Sequence, residues 1–260
     1  MSIYRAIRWR IHKRLRRYVI ADTGQETFVV NARDTFIGEG LFINGQHDFG
    51  KVEAVLRLLG RRPRLLIDVG ANIGPICIPA LARGYVESAI AIEPEPGNLR
   101  LLRANVAING LHDRVTVHAS AVGAIDEETL TLDLCEDNLG DHRIHAEGET
   151  GRSGVEVSSS TLDTLCPDAR DPLIWIDTQG YEGFVLQGAT RLLKDSPPVV
   201  AEFWPYGFKR SGSFKAFCSA LAHYSEFIDL QTEARRPINE LSALFREHDR
   251  PTGGTDILAV

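Results

Sequence analysis

The chain has 260 residues, of which 43% are apolar and 25% are charged, and its formal net charge at pH 7 is −6. This length allows one large α/β domain with extensions, and the composition is that of an ordinary globular protein. No apolar run approaches the about 18 residues that a membrane-spanning helix needs, and the first residues lack the apolar centre of a signal peptide. The four cysteines have neither disulfide nor zinc spacing, which favours a cytoplasmic location.

The beginning of the chain is strongly basic. Residues 1–17 contain seven Lys and Arg residues and no acid, and apolar residues recur at every fourth position, at Ile3, Ile7, Ile11 and Leu15. This spacing predicts a basic amphipathic helix over residues 1–20. Two interpretations stay open: residues 1–17 contact a membrane surface or another polyanion, or the apolar stripe packs on the body of the protein. A nucleic acid partner is not expected, because the acidic remainder of the chain would repel it.

Residues 21–60 are predicted to form a second extension, made of a hairpin and a helix. Residues 26–30 and 35–43 resemble short strands that pair as the hairpin. Residues 50–60 have apolar positions at helical spacing and end in a glycine, which predicts the helix. Whether these elements cover a site or form a contact in a homo-oligomer is not decided by the sequence.

Strand and helix patterns alternate over residues 61–260, which indicates a doubly wound α/β sheet that is mainly parallel. Residues 129–134 and 155–158 alternate with polar residues and predict a peripheral antiparallel pair. The predicted strands of the main sheet are 65–69, 88–92, 115–118, 173–176, 199–203, 227–230 and 256–260.

The end of the first core strand has the pattern of a nucleoside pocket. Asp68 is followed by Gly70, Asn72 and Gly74, and the next strand ends in Glu93. Glycines let a backbone approach a ligand, and an acid at the next strand end accepts hydrogen bonds from a ribose diol. The spacing is looser than G-x-G-x-x-G, which favours a ligand without pyrophosphate. Two acids with no cation between them favour a positively charged ligand, so S-adenosylmethionine fits better than NAD.

Other candidate residues follow the remaining core strands, because ligands of an open α/β sheet collect at the carboxyl ends of its strands. Additional candidates for cofactor binding are Pro94, Ser120, Ala121 and Asp177. Candidates for binding an acceptor substrate are Glu182, Glu202, Trp204 and Tyr206. The aromatic side chains would stack on a sugar ring.

Five segments form a recognisable combination: IDVGANIG (67–74), IAIEPEPGNLRLLRANVAING (90–110), HASAVG (118–123), STLDTL (160–165) and WIDTQGYEGFVLQGA (175–189). Together they resemble the FkbM-type methyltransferases, which depend on S-adenosylmethionine. The segment from Asn138 to Ile144 also resembles a loop that lies near the cofactor in some members. Gln179 stands where the family usually has an acid and Trp175 where it has a lysine, whereas Asp177 matches.

The resemblance implies a seven-stranded Rossmann-like methyltransferase sheet over residues 61–260. It also implies O-methylation of a hydroxyl group on a sugar, a glycan or lipid, or a secondary metabolite. A hydroxyl is a poor nucleophile, so a residue that removes its proton should help. Candidate bases are Asp177, which is favoured by its position, and His142 and Asp141. No spacing requires a metal ion, and no metal site is predicted.

Two other functions stay open. An NAD(P)-dependent oxidoreductase would use a similar sheet but needs a tighter glycine turn than Gly70 and Gly74 provide. A methyltransferase fold that has lost catalysis could serve as a scaffold or regulator; the intact set of Asp68, the two glycines and Glu93 favours retained cofactor binding.

Overall fold

The computed structural model describes residues 2–250 and 252–260, so Met1 and Pro251, which belong to the predicted segments 1–20 and 61–260, lie outside the described residues. Within these residues the strands are β1 Tyr18–Asp22, β2 Thr27–Asn31, β3 Leu65–Val69, β4 Ser88–Ile92, β5 Val115–His118, β6 Ala121–Val122, β7 Thr129–Leu134, β8 Arg143–Ile144, β9 Ser153–Ser160, β10 Pro172–Ile176, β11 Val199–Phe203, β12 Glu226–Asp229, β13 Arg235–Pro237 and β14 Thr255–Ala259. The helices are α1 Ser2–Leu15, α2 Ile37–Asn44, α3 Phe49–Leu59, α4 Cys77–Ala82, α5 Pro96–Ile108, α6 Leu162–Leu165, α7 Glu182–Gln187, α8 Pro205–Ser211, α9 Phe214–Leu221 and α10 Leu241–His248, with short 3₁₀ helices at Leu192–Asp195 and Ile238–Glu240.

The main sheet of the described residues has eight strands in the order β13-β12-β14-β11-β10-β3-β4-β5. The strands from β11 to β5 are parallel. Strand β14 lies antiparallel between β11 and β12, and β13 pairs antiparallel with β12. The predicted α/β class is therefore confirmed. The sheet is mixed, and it has one strand more than the seven predicted because the short edge strand β13 adds to β12.

The centre of the sheet is covered on both faces. Strands β3 and β10 are buried along their whole length. Strand β10 is apolar throughout and β3 is apolar except for Asp68, as is usual for strands covered on both faces. Leu66 belongs to the core cluster that includes α4 and α5, whereas its neighbour Ile67 belongs to the cluster that includes α7 and α9. The carboxyl ends of β3, β4, β10 and β11 therefore lie at one edge of the sheet, held between two packed layers.

The second extension differs from its prediction. The hairpin consists of β1 and β2, and residues 37–43 of the predicted second strand lie in α2 instead. The carboxylate of Asp34 explains this helix, because it accepts hydrogen bonds from the backbone nitrogens of Phe36 at 3.1 Å and Gly38 at 2.8 Å. These bonds satisfy donors that would otherwise lack partners at the start of the helix.

Helix α1 ends at Leu15, five residues before its predicted limit. It packs on α2 through Trp9, which is 2% exposed; the indole lies 5.3 Å from the ring of Phe42, and its Nε1 donates to Glu39 Oε2 at 3.0 Å. The isoleucine stripe itself is at least half exposed at each of its four positions, so the interpretation in which it packs on the body is wrong. Within the described residues, no helix is both long enough and apolar enough to cross a membrane.

A smaller sheet, in the order β6-β9-β7-β8, flanks the main one. Its strands β7 and β9 form the predicted antiparallel pair, with Leu132 opposite Val155. Strand β6 follows directly on β5, and β8 pairs with β7. This sheet therefore holds residues 120–122 and 143–144 next to the edge at which the parallel strands end.

Candidate active site

The turn after β3 joins three strand ends. The backbone nitrogens of Gly70 and Ala71 both donate to the carbonyl oxygen of Ile92 at 3.0 Å, which ties the turn to β4. Gly70 has a φ of +82°, and a Cβ at this position would lie 2.0 Å from the carbonyl oxygen of Asp177. Only glycine tolerates both the left-handed backbone and the close approach. The predicted glycine turn therefore brings the ends of β3, β4 and β10 together.

Asn72 continues this turn with a φ of +50°, a conformation that asparagine adopts more easily than most residues. Its side-chain oxygen accepts a hydrogen bond from the nitrogen of Ile73 at 2.8 Å. Its backbone nitrogen donates to Glu93 Oε2 at 2.9 Å, and its Nδ2 donates to the carbonyl oxygen of Leu139 at 2.8 Å. One residue thus connects the turn, the acid after β4 and the segment from residue 138 to 144.

Glu93 is 5% exposed and follows β4. Its Oε2 accepts the bond from Asn72, and its Oε1 accepts one from the backbone nitrogen of Glu95 at 2.8 Å. A carboxylate oxygen can accept more than one hydrogen bond, so both oxygens retain capacity for a diol. Burial raises the pKa of Glu93 to about 8. A positively charged ligand nearby would favour the ionised form.

A narrow inner cavity of 60 Å³ lies between these strand ends and residues 139–144. The sequence predicted eight of the residues that line it, although they come from five separate segments of the chain. These residues are Gly70, Asn72, Glu93, Pro94, Ser120, Ala121, His142 and Asp177.

The segment 138–144 closes one side of the inner cavity, as the resemblance implied. The carbonyl oxygen of Leu139 accepts hydrogen bonds from Asn72 Nδ2 at 2.8 Å and from Asn98 Nδ2 at 2.9 Å. Two further polar atoms of the lining residues, Asn98 Oδ1 and Arg143 Nε, are buried without a hydrogen-bond partner. Buried polar groups usually have partners, so the cavity has unused bonding capacity.

An outer cavity of 400 Å³ adjoins the inner one. Gly70, Asn72, Gly140 and Asp177 line both cavities, so they form the boundary between them. The outer cavity is rich in charged and polar side chains, which include His47, Asp48, Lys51, Asp177, Gln179, Glu202 and Asp256.

The carboxylates of the outer cavity are bridged by an amide. Gln179 Nε2 donates to Asp177 Oδ1 at 2.7 Å and to Glu202 Oε2 at 3.2 Å. Asp177 opens to the cavity, but the surrounding protein atoms raise the pKa of its carboxyl to about 6. Burial, reinforced by the charge of Asp177, also raises the pKa of Glu202. At neutral pH Asp177 is therefore ionised and able to accept a proton.

Lys51 is the cation of this acidic region. Its Nζ lies 2.6 Å from Asp256 Oδ2 and 2.9 Å from Asp48 Oδ2. Although acids are numerous here, no group of three or more His, Cys, Asp or Glu side chains in residues 2–250 and 252–260 is arranged to hold a metal ion.

Three predicted residues support the turns rather than line either cavity. Asp68 Oδ2 accepts a hydrogen bond from the backbone nitrogen of Cys77 at 3.2 Å, and burial raises the pKa of Asp68 to about 7. Glu182, predicted to bind substrate, is fully buried, and its Oε1 accepts bonds from the backbone nitrogens of residues 178 and 180. Gly74 leaves room for Ile78, which a Cβ would approach to 2.5 Å.

The predicted aromatic wall lies behind the outer cavity. Trp204 and Tyr206 pack on each other with ring centroids 5.1 Å apart, and neither lines the cavity. Gly254, which does line the cavity, lies next to Trp204, since a Cβ on Gly254 would lie 3.5 Å from Trp204 Cδ1. Of the four predicted substrate residues, the cavity is therefore lined by Glu202 alone.

The other two candidate bases are engaged in structural contacts. His142 Nδ1 accepts a hydrogen bond from the backbone nitrogen of Cys135 at 3.0 Å, and burial lowers the pKa of His142. The neutral ring then carries its proton on Nε2, which makes it a donor towards the inner cavity. Asp141 is paired with Arg152 at 2.5 Å and lines neither cavity.

Sequence reasoning missed the residues of the outer cavity that α3 and β14 supply. The polar run Gln46 to Asp48, just before Lys51, was the available signal, but the preceding segment was interpreted as a strand. Nothing in the sequence indicates that Lys51 pairs with Asp256, because 204 intervening residues separate them and the pairing exists only once β14 enters the sheet.

The chain was compared with known families and proteins. Residues 68–234 match the family described as the methyltransferase FkbM domain. This match covers well over half of the chain, which therefore belongs to the FkbM methyltransferase family. The resemblance seen in the sequence is thus confirmed. No curated protein sequence matches it.

Solved structures of methyltransferases are similar to the chain at low identity. Methyltransferase FkbM from Methylobacillus flagellatus is 19% identical with a TM-score of 0.47; the match covers 76% of this chain but 44% of that one. The Pyrococcus abyssi tRNA (uracil-54, C5)-methyltransferase, in complex with S-adenosylhomocysteine, is 11% identical with a TM-score of 0.44; the match covers 94% of this chain and 44% of that one. The M. jannaschii tRNA m1G37 methyltransferase is 10% identical with a TM-score of 0.45; the match covers 94% of this chain and 56% of that one.

Proposed function

We propose that the chain transfers a methyl group from S-adenosylmethionine to a hydroxyl group of a sugar, a glycan or lipid, or a small metabolite. The observation that carries this proposal is the position of Asp177. It lines both the inner cavity, which has the pattern of a nucleoside site, and the outer cavity, which is large enough for part of an acceptor. A carboxylate at that boundary is suited to accept the proton of an acceptor hydroxyl.

The residues of the inner cavity fit S-adenosylmethionine. Glu93 would accept the ribose hydroxyls, because both of its oxygens retain bonding capacity. The unpartnered Asn98 Oδ1 and Arg143 Nε are an acceptor and a donor at a cavity that a ligand would complete. The acids Glu93 and Asp177 favour a ligand with a positive charge. When bound, this cofactor supplies a methyl group that is already activated for displacement.

The inner cavity is too small to hold a nucleoside unless part of its wall moves. A cavity of 60 Å³ holds only a few water molecules, since each needs roughly 10–15 Å³ on this measure. A nucleoside therefore requires the segment 138–144 to move outward. Its tether is the pair of hydrogen bonds from Asn72 and Asn98 to the carbonyl oxygen of Leu139. Opening would free both amides to contact the ligand.

The outer cavity would orient the acceptor. A hydroxyl placed beside Asp177 can donate to Oδ2, since Gln179 binds Oδ1. Proton removal by a positioned base contributes about 10²–10⁴-fold to a rate, and alignment of the two reactants contributes further. Glu202, Lys51 and Asp256 supply acceptors and a donor for the other polar groups of a sugar-like molecule. A phosphorylated acceptor is disfavoured by the excess of carboxylates.

Membership of the FkbM family favours methyl transfer over the NAD(P)-dependent oxidoreductase. The remaining alternative, a fold that binds the cofactor without turnover, differs from the proposal in one measurable property. It would bind S-adenosylmethionine but would transfer no methyl group.

Two measurements on the purified chain test the proposal. Calorimetric titration should give micromolar binding of S-adenosylmethionine and S-adenosylhomocysteine, and no binding of NADH or NADPH. Incubation with methyl-labelled S-adenosylmethionine and fractionated cell extract should label a glycan, lipid or small-molecule fraction by an ether linkage. Failure to bind either adenosyl compound, or tighter binding of a nicotinamide cofactor, would overturn the proposal. Label in an amine would overturn the O-methylation.

A further inference from the structure

Helix α1 exposes an apolar stripe that nothing in the described chain covers. The stripe consists of Ile3, Ile7, Ile11 and Leu15, whose exposed fractions are 78%, 52%, 50% and 75%. Exposed aliphatic residues that stand singly are common on proteins, but a continuous exposed row indicates a contact with something else.

The helix cannot rotate to bury the stripe. Successive residues of an α-helix are separated by about 100° around its axis, which places the stripe on the side opposite Trp9. Trp9 is held by its ring contact with Phe42 and by the hydrogen bond from its Nε1 to Glu39. The stripe therefore faces away from the protein as a consequence of how α1 is docked.

The same helix is surrounded by positive charge. Residues 1–17 contain seven Lys and Arg residues and no acid. Arg8 and Arg10 flank the stripe on its two sides, and both are exposed, as are Lys13, Arg14, Arg16 and Arg17. Within the described residues none of these cations takes part in an ion pair. Apolar residues between exposed arginines are typical of helices that lie in a membrane interface.

We propose that α1 docks the protein on the surface of a membrane that contains anionic lipid. The stripe would enter the boundary between headgroups and acyl chains, and the flanking arginines would bind lipid phosphates and carboxylates. The helix has 14 residues, so it lies on the membrane rather than across it.

Two other occupants fit less well. A nucleic acid would match the charge, but it would leave the aliphatic stripe in water and would meet the repulsion of a body with excess acid. A second copy of this chain would match the stripe, but it would bring two sets of seven cations face to face.

Sedimentation of the full chain with lipid vesicles tests the stripe. The chain should bind vesicles of phosphatidylcholine with about one third phosphatidylserine, and it should bind pure phosphatidylcholine at least about tenfold more weakly. The double variant Ile7→Ser and Ile11→Ser should bind the anionic vesicles at least about tenfold more weakly. The matched control is Ile108→Ser with Ile125→Ser, two isoleucines that are 50% and 60% exposed elsewhere, and its binding should be unchanged.

Charge is tested separately. The double variant Arg10→Glu and Arg14→Glu should lose at least about tenfold in affinity for the anionic vesicles, whereas Arg100→Glu with Arg103→Glu, on the exposed side of α5, should retain most of it. Circular dichroism should show that all four variants fold, because every substituted side chain is exposed.

The following results would overturn the proposal that α1 docks on an anionic membrane. Equal binding to neutral and anionic vesicles would remove the requirement for anionic lipid, and full binding by the stripe variant would remove the role of α1. Tighter binding to a DNA or RNA duplex than to vesicles would identify a nucleic acid surface. Self-association of the unmodified chain that the stripe variant abolishes, with no vesicle binding, would identify a second copy as the occupant.

Discussion

Replacing Asp177 by Asn tests the proposed proton acceptor with little change in shape. The side-chain oxygen of Asn can accept the hydrogen bond that Gln179 Nε2 donates to Asp177 Oδ1 at 2.7 Å, so the turn keeps its contact. An amide cannot take up a proton at neutral pH. We therefore expect kcat to fall by about 10²–10⁴-fold, whereas the Kd of S-adenosylhomocysteine should change by less than about threefold.

The pKa of Asp177 sets the pH dependence. Desolvation by the surrounding protein atoms raises this pKa to about 6, so the base is ionised above pH 6 and becomes protonated as the pH falls through that value. For a single titration, the ionised fraction at pH 5 is about one tenth of that at pH 7. Turnover of the unmodified chain should fall about tenfold over this interval, and the residual turnover of the Asn variant should not follow the same curve.

The assay is the initial rate of labelled methyl transfer between pH 5 and pH 8 at saturating donor. Glu202→Gln is the comparison variant, since Glu202 lines the outer cavity but not the inner one. Because burial and the charge of Asp177 raise the pKa of Glu202 well above its ordinary value, the neutral amide of Gln resembles its protonated form, so this variant should keep both the turnover and the position of the acidic limb. The reasoning is refuted if Asp177→Asn retains at least about one third of the turnover with an unchanged pH profile.

Three further changes test other parts of the site. Glu93→Gln should weaken the binding of S-adenosylhomocysteine at least about tenfold in calorimetry, because an amide nitrogen cannot accept the hydrogen bonds that a carboxylate oxygen accepts; the exposed Glu87→Gln, just before the same strand, should leave binding unchanged. Gln179→Glu replaces a donor to two carboxylates by a third acid, so it should move the acidic limb of the kcat profile to higher pH by about one unit. Gly70→Ala should lower the free energy of unfolding in urea by roughly 2–4 kcal/mol, since its Cβ would meet a carbonyl oxygen at 2.0 Å. Gly24→Ala, whose φ of +90° is also left-handed but whose Cβ meets nothing within 4 Å, should cost only about 1 kcal/mol.

For each of these predictions, one result would contradict the physical reason given for it. Unchanged affinity in Glu93→Gln would remove the ribose assignment. An acidic limb that stays in place in Gln179→Glu would mean that another residue controls the titration. Equal losses of stability in Gly70→Ala and Gly24→Ala would show that backbone strain, not the contact with Asp177, fixes the glycine.

The inner cavity could be predicted from the sequence because its signals are local. Gly70 and Asn72 lie in one turn, and Glu93 ends the very next strand, so the topology of a βαβ unit brings them together. Ser120 and Asp177 follow later strands of the same parallel sheet, and their position at its carboxyl edge needs only the strand order. Seven of the eight predicted residues that line the cavity have this property; the exception is His142, which lies in the segment 138–144 before β8.

The features that the sequence did not predict depend on contacts between residues, which no local sequence pattern indicates. Residues 37–44 have strand-like composition, but the carboxylate of Asp34 starts a helix there, and Leu41 and Phe42 are buried on it. Glu182 follows a core strand as Glu93 does, yet its carboxylate folds back onto its own turn. Residues such as these look alike in the sequence, and only the packing decides which of them faces a cavity.

The position of the ribose is measured most directly by a crystal structure of the chain with S-adenosylhomocysteine. We expect both ribose hydroxyls to lie about 2.6–3.2 Å from the carboxylate oxygens of Glu93, with residues 138–144 displaced outward and the sulfur directed towards Asp177. A ligand bound outside the inner cavity, or a ribose that contacts neither oxygen of Glu93, would contradict the proposed methyltransferase site.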